Sequence, residues 1–162
     1  MMISRRTMLL LLLAGQFAVL APAALAQDLP EGWTWTYYMP TNTGIQGDYS
    51  AALCIDDAGD PYIAAYNPIW DEGGVARFDQ ANQQWHNISN VDYPLMPFQV
   101  VEFIPEPDGR LWMLTGEGLL SYRPDQGPAS LAPYNPSNSP LPQGILRDAE
   151  RAPDGSLWIC CE

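Results

Sequence analysis

Along this chain apolar residues fall into short runs separated by clusters of Gly, Pro, Asn, Asp and Ser, which is the pattern of strands joined by turns. Trp33-Thr34-Trp35-Thr36-Tyr37 alternates aromatic and Thr, as a half-buried strand does. Leu111-Trp112-Met113-Leu114 and Leu157-Trp158-Ile159-Cys160-Cys161 are apolar without interruption, which predicts strands covered on both faces. The runs place strands near 33–38, 49–56, 61–66, 74–79, 83–88, 98–104, 110–115, 119–123, 129–134 and 145–151, with a last one after Asp154-Gly155. No helix is expected, because Gly and Pro interrupt every stretch long enough to carry a 3.6-residue apolar stripe.

Turn signals repeat at long intervals. Pro107-Asp108-Gly109-Arg110-Leu111-Trp112-Met113 recurs as Pro153-Asp154-Gly155-Ser156-Leu157-Trp158-Ile159, and more faintly as Asp57-Ala58-Gly59-Asp60-Pro61-Tyr62-Ile63. The three glycines stand 50 and 46 residues apart, the spacing of a repeat built from short antiparallel strands. Asp-Gly between apolar runs is a hairpin signal, since Gly takes the φ > 0 position without steric cost. A second motif keeps the same step: Pro40-Thr41-Asn42-Thr43-Gly44-Ile45 matches Pro136-Ser137-Asn138-Ser139-Pro140-Leu141 at an offset of 96. A middle copy around Ser89-Asn90-Val91-Asp92-Tyr93-Pro94-Leu95 fits with a two-residue insertion.

These motifs resemble the two-component regulator type of β-propeller repeat, over essentially all of the chain from Trp33 onward. The family pattern runs from an aromatic strand through an Asn-Ser-x-Leu-Pro-like loop and Asp-x-x-Gly-x-Leu-Trp-Ile to a Gly-Leu step. Gly118-Leu119-Leu120-Ser121-Tyr122 supplies that step here, and Gly74-Val75-Ala76-Arg77-Phe78 supplies it one repeat earlier. Asp60-Pro61-Tyr62 departs from it, with Pro and Tyr in place of Leu and Trp. The expected fold is therefore all-β: a partial β-propeller of four-stranded antiparallel blades, about two and a half of them, forming an open arc. A strand of a closing blade is expected at 33–38, blade one at 48–90, blade two at 97–135 and part of a third at 144–162. Closure takes about 4–8 blades, so the sequence reads as a piece of a longer product whose open edge strands can self-associate.

The N-terminus changes the picture of where this happens. Arg5 and Arg6, the apolar stretch from Met8 to Leu13 and on to Leu20, and Ala24-Leu25-Ala26 read as a signal peptide over 1–26. Ser4-Arg5-Arg6-Thr7-Met8-Leu9 also resembles a twin-arginine signal, although the apolar run suits the general secretory route better. Export to the periplasm or beyond is expected, with no membrane insertion after cleavage. The chain has no Lys, and 7 Arg against 19 carboxylates give a net charge of −12. Such a balance excludes nucleic acid and anionic membrane surfaces, which require a basic stripe. Cys54, Cys160 and Cys161 fall on strands two repeats apart, too far for a disulfide, and are read as small buried hydrophobes. No metal site or cofactor is expected: the one His is His86, and no Cys-x-x-Cys pair exists.

Alternating strand directions gather the tight Asp-Gly turns at one end and the long loops, 40–47, 66–73, 89–97 and 135–144, at the other. Elaborated loops on a rigid scaffold are where binding residues sit. Trp70, Asp71 and Glu72 are the candidate ligand-binding residues, because blade two bridges the same step with Gly116 and Glu117 alone. Trp70 can stack on a sugar or hold a cation; the plainer expectation is an aromatic plugging its own blade. His86 reads as a rim residue, and Asp56, Asp57 and Asp60 as turn chemistry. No catalytic residue is assigned.

Two functions follow. The resemblance implies a non-catalytic binding or sensing module for a small molecule, glycan or protein, of the kind that forms the sensing part of a signalling protein. The rival is part of a propeller enzyme of lyase or lactonase type, in which Glu102 and Asp148, aligned across blades on inner strands that also carry Cys54, belong to an axial carboxylate ring serving a metal or acid–base step. The first is the main reading, because it is what the resemblance implies and no catalytic residue is assigned.

Overall fold

The computed structural model describes residues 7–10 and 34–162. The chain is all-β, built as three antiparallel sheets of four, four and two strands, none of them closed. Sheet one is β3 (Tyr49–Ile55), β4 (Pro61–Asn67), β5 (Glu72–Asp79) and β6 (Gln84–Ser89), in that spatial order. Sheet two repeats the meander with β7 (Val100–Pro105), β8 (Leu111–Thr115), β9 (Gly118–Tyr122) and β10 (Ala132–Tyr134). Sheet three is β11 (Leu146–Arg151) with β12 (Leu157–Cys161). Ahead of them, β1 (Thr7–Leu10) pairs in parallel with β2 (Thr34–Tyr37). Of the expected leader only Thr7–Leu10 is described; the rest of it, with its cleavage point, lies outside the described residues.

The same local geometry recurs three times. Gly59, Gly109 and Gly155 have φ of +90°, +80° and +87°. Their N–H groups donate to the carbonyls of Asp56, Glu106 and Ala152 at 2.9, 3.0 and 2.9 Å, closing identical turns. Each first strand then carries a one-residue bulge at the same distance from its turn, at Ala51, Val101 and Arg147. The long loops also start alike. Asn42 and Asn138 each accept, through Oδ1, the N–H three residues back, from Met39 and Asn135, both at 2.8 Å. Ser89 and Asp92 occupy those positions in the middle copy, where the Tyr93 N–H reaches the Ser89 carbonyl at 2.9 Å, so the extra residues fall after Tyr93 rather than within the turn.

One expectation fails here. The Pro40–Thr43 copy of this motif closes into a single helical turn, α1, and Pro124–Gln126 and Pro128–Ser130 form 3-10 turns, shortening the last strand of sheet two to Ala132–Tyr134. Pro at the first position of each turn explains this: its fixed φ suits helix entry and its missing N–H has no ladder to serve.

The sheets stack face to face, and the second strands show why their runs are apolar throughout. Tyr62 and Ala64 of β4 point toward sheet two and pack with Val75, Ile88, Phe103, Leu111, Met113 and Leu120. Ile63 and Ala65 point the other way, against Ile45 and Trp85. On β8, Leu111 and Met113 face sheet one, whereas Trp112 and Leu114 face sheet three beside Leu146, Ala149, Leu157 and Ile159. The first strands adjoin: β7 contacts both β3 and β11. A hydrogen bond ties two of them together, from the Ala149 N–H to Glu102 Oε2 at 2.9 Å.

Close backbone approach fixes the loop end of sheet one. A Cβ on Gly73 would lie 1.8 Å from the Phe98 carbonyl oxygen, whereas one on Gly116 would meet nothing within 4 Å. Gly73→Ala should therefore cost more than about 2 kcal/mol by overpacking, while Gly116→Ala stays within about 0.5 kcal/mol. Urea denaturation midpoints of the two variants check this.

Candidate functional site

The long loops gather at one end of the stacked sheets, and there the chain exposes aromatic side chains. Tyr49 and Tyr66 are register partners at the open ends of β3 and β4, with ring centroids 5.8 Å apart. Phe98, just before β7, meets Tyr66 edge-on at 6.1 Å. The row thus crosses from sheet one to sheet two along the top of their seam. Tyr49 is 52% exposed. A shallow cleft of about 110 Å³ at the same end of sheet two is lined by Met96, Pro97, Thr115, Glu117 and Tyr134 among others, and by none of the three rings of the row.

Trp70 stands on the connection from β4 to β5 and is 69% exposed, next to the still more exposed Ile69. The expectation of a plug in its own sheet is thus wrong: β4 and β5 run two residues further than β8 and β9, and the connection at 68–71 that carries Trp70 stands beyond that extension. The loop is nevertheless fixed at both feet. Asn67 Oδ1 accepts the Ile69 N–H at 3.0 Å. Asn90, from the next long loop, donates to the Asp71 carbonyl at 2.7 Å and accepts the Gly73 N–H at 2.9 Å. Asp71 sits at φ +51°, in the left-handed region that Asp tolerates better than most residues. Asp71 and Glu72 are exposed beside Trp70. The three sequence-predicted residues are therefore together at the loop end; Tyr49, Tyr66 and Phe98 are the members that sequence reasoning missed.

At the opposite end the carboxylates are used internally. Asp56 Oδ1 accepts the Asp60 N–H at 2.9 Å. Buried Asp60 takes Arg77 Nε at 3.0 Å and the Gln80 N–H at 3.0 Å. Asp108 receives Arg123, and Glu106 receives Arg151 Nε at 2.9 Å. A cavity of about 230 Å³ between the first two Asp-Gly turns is lined by Asp56, Tyr62, Pro105, Glu106 and Leu111 among others. Burial pushes the Tyr62 phenol far up, and Asp56 adds to the shift. His86 lies on the rim, half-exposed, 3.9 Å from Asp79.

Glu102 and Asp148 do meet across the first strands. Burial raises the Glu102 pKa, the Ala149 N–H opposes the shift, and the neighbouring Asp148 carboxylate adds to it by charge and by hydrogen bonding. Among the described residues no three His, Cys, Asp or Glu side chains come together as a metal would require.

The cysteines divide. Cys54 is half-buried, and burial followed by repulsion from Asp56 pushes its thiol up to about 12, a weak nucleophile at neutral pH. Cys160 and Cys161 are exposed, against expectation. Cys160 shares with Trp158 the face of sheet three that points away from sheet two, and no described residue covers it. No protein-family model and no curated protein matches the chain.

The raised Glu102 pKa carries a sign. A carboxyl that holds its proton more tightly folded than unfolded stabilises the fold at low pH, and that contribution is lost as pH rises through its folded pKa. Glu102→Gln keeps an acceptor for the Ala149 N–H and removes the repulsion from Asp148. The variant should melt slightly above the wild type at pH 7 and show a flatter dependence of Tm on pH from about 4.3 upward. Thermal melts across that range check it; a wild-type slope unchanged in the variant would assign the titration elsewhere.

Proposed function

We propose that the chain is an exported arc of a β-propeller whose long-loop end binds a ligand without transforming it. The propeller reading is supported by the stacked four-stranded meanders, the adjacency of their first strands, and the recurrence of turn, bulge and loop cap at one spacing. The observation that carries the binding reading is the set of aromatic side chains at the loop end, exposed Tyr49, Phe98 and Trp70 with half-buried Tyr66, of which Trp70 stands on a loop pinned by Asn67 and Asn90. Aromatic rings kept in water at fixed positions cost stability that a ligand recovers, because rigid rings stack on a sugar, a cation or an apolar side chain with little entropy loss. Since β1 pairs with β2, removing the leader leaves the ladders of all three antiparallel sheets intact.

The rival reading, part of a propeller enzyme with an axial acid–base or metal site, has one observation in its favour: Glu102 and Asp148 face each other across adjoining first strands. A melting temperature raised by millimolar divalent cations in the wild type but not in Glu102→Gln would support it.

Two tests address the main reading. Expressed in a bacterial host, the mature protein should be recovered from the periplasm beginning at Gln27, as read by N-terminal sequencing; cytoplasmic retention at full length would remove the export claim. On a mixed glycan and peptide array, the wild type should retain a ligand that Trp70→Ala and Tyr49→Ala bind at least about tenfold more weakly, a loss of roughly 1.4 kcal/mol. Both variants should melt within a few degrees of the wild type, since these side chains are largely in water. Undiminished binding by both would place the site away from the loop end.

A further inference from the structure

We propose that the protein associates with a second copy of itself head to tail, the outward face of sheet three on one copy stacking against the outward face of sheet one on the next. The inference is independent of the binding reading above. The two internal seams are built alike. In each, a forward face meets a rear face. The forward faces carry Tyr62 and Ala64 on sheet one, and Trp112 and Leu114 on sheet two. The rear faces carry Phe103 and Met113 on sheet two, and Ala149 and Ile159 on sheet three.

Two faces are left over among the described residues, and they are of opposite kinds. Sheet three has a forward face, with Trp158 and Cys160 in the positions of Trp112 and Leu114. Sheet one has a rear face, with Leu53 and Ile63 in the positions of Phe103 and Met113. Trp158 is 71% exposed on the first, and Leu53 and Ile55 are 54% and 63% exposed on the second. Ile45 already covers Ile63 there, as Leu141, 96 residues later, packs into the seam between sheets two and three.

A chain that carries both halves of a seam is complementary to its own copy. The polar bond across the second seam has its counterparts as well. The Ala149 N–H donates to Glu102 there; the repeat puts Leu53 in the position of Ala149 and Asp148 in that of Glu102. One position is mismatched. Glu150 stands where Ile104 fills the second seam, and taking a carboxylate out of water opposes association. The contact is therefore weaker than an internal seam and depends on concentration. It is heterologous, using a different patch on each partner.

Sedimentation of the purified protein tests this, under reducing conditions so that exposed Cys160 and Cys161 form no intermolecular disulfide. The wild type should self-associate with a dissociation constant on the order of 10 μM. It should associate more tightly in about 0.3 M than in about 0.05 M salt, which screens the repulsion between two acidic copies. Leu53→Glu should abolish association, and Trp158→Thr should weaken it at least about tenfold. Both side chains are largely in water, so circular dichroism of each variant should match the wild type. Glu150→Ile should tighten association severalfold. An equimolar mixture of Leu53→Glu and Trp158→Thr should form a one-to-one pair at wild-type affinity, because each variant keeps the face that the other lacks.

A wild type monomeric at about 100 μM would overturn the proposal. Association surviving in both variants alone would mean pairing by strand edges and overturn it. Association lost in Trp158→Thr but intact in Leu53→Glu would mean a symmetric contact between two copies of sheet three, and a mixture that does not pair would show that the two faces are not partners; either overturns it.

Discussion

The second strand of a sheet in this chain is apolar on both sides, and a single sheet cannot bury both. Ile63 and Ala64 are adjacent on β4, point to opposite faces, and are each fully buried; Met113 and Leu114 on β8 repeat this. Such burial requires cover on either side: a stacked sheet at each seam, and on the outer face of β4 the segment carrying Ile45 together with Trp85. Each fully buried side chain of that size contributes about 1.5–3 kcal/mol relative to exposure, and the two seams collect many of them. The outermost faces give the contrast. Trp158, in the position of Tyr62, is 71% exposed against 1%, and Leu53, in the position of Phe103, is 54% exposed against 7%. Position in the repeat sets which way a side chain points; what lies over that face, a sheet or a segment such as the one carrying Ile45, decides whether it is dry.

The exposure of Cys160 and Cys161 follows from that rule. An apolar run predicts a strand made to be covered, and the sequence pattern of β12 is the same as that of β8. Covering, however, is a property of the seam, and β12 borders only one seam among the described residues. Leu157 and Ile159 are half-buried against sheet two, while Trp158 and Cys160 face outward. Strand positions, the Asp-Gly turns and the two-faced burial of β4 and β8 were legible because each is written in local turn chemistry or in a run of a few residues.

The aromatic row was not legible, for a definable reason. Counting back from the turn at Asp56–Asp60, an unbroken ladder would pair Tyr49 with Asn67. The bulge at Ala51 shifts the register by one, so Tyr49 lies opposite Tyr66. A one-residue shift also moves a side chain to the other face of the sheet. Nothing in Ser50-Ala51-Ala52 announces the bulge, and its equivalents, Val101 and Arg147, share no residue type with Ala51. Trp70 was found by loop length alone, since length is visible in sequence; Phe98 joins the row only because Gly73 lets its carbonyl approach the loop. The repeated bulge, which re-aims the first residues of each first strand, is thus what turns two tyrosines of a hairpin into a surface at the loop end.

The two ends of the molecule then differ in what their carboxylates are for. At the turn end each acidic side chain that is most enclosed has a guanidinium or a backbone N–H as partner, as Asp60 has both. Removing water from a carboxylate is tolerable only with such partners. At the loop end the carboxylates remain in water and need no partner to be stable. Their charge is consequently free to act outward, over a distance of about 8 Å at physiological ionic strength. A chain with five arginines in its described part could have spread them evenly to lower its self-repulsion. Three of them are bonded to acidic side chains at the turn end and Arg147 to Glu162 at the loop end of sheet three, while the fifth, Arg110, lies 3.9 Å from Asp108 and over the ring of Trp112 at 5.5 Å. The long loops of sheet one, which hold no Lys, Arg or His, keep the charge of Asp71, Glu72 and Asp92 in water as a direct result.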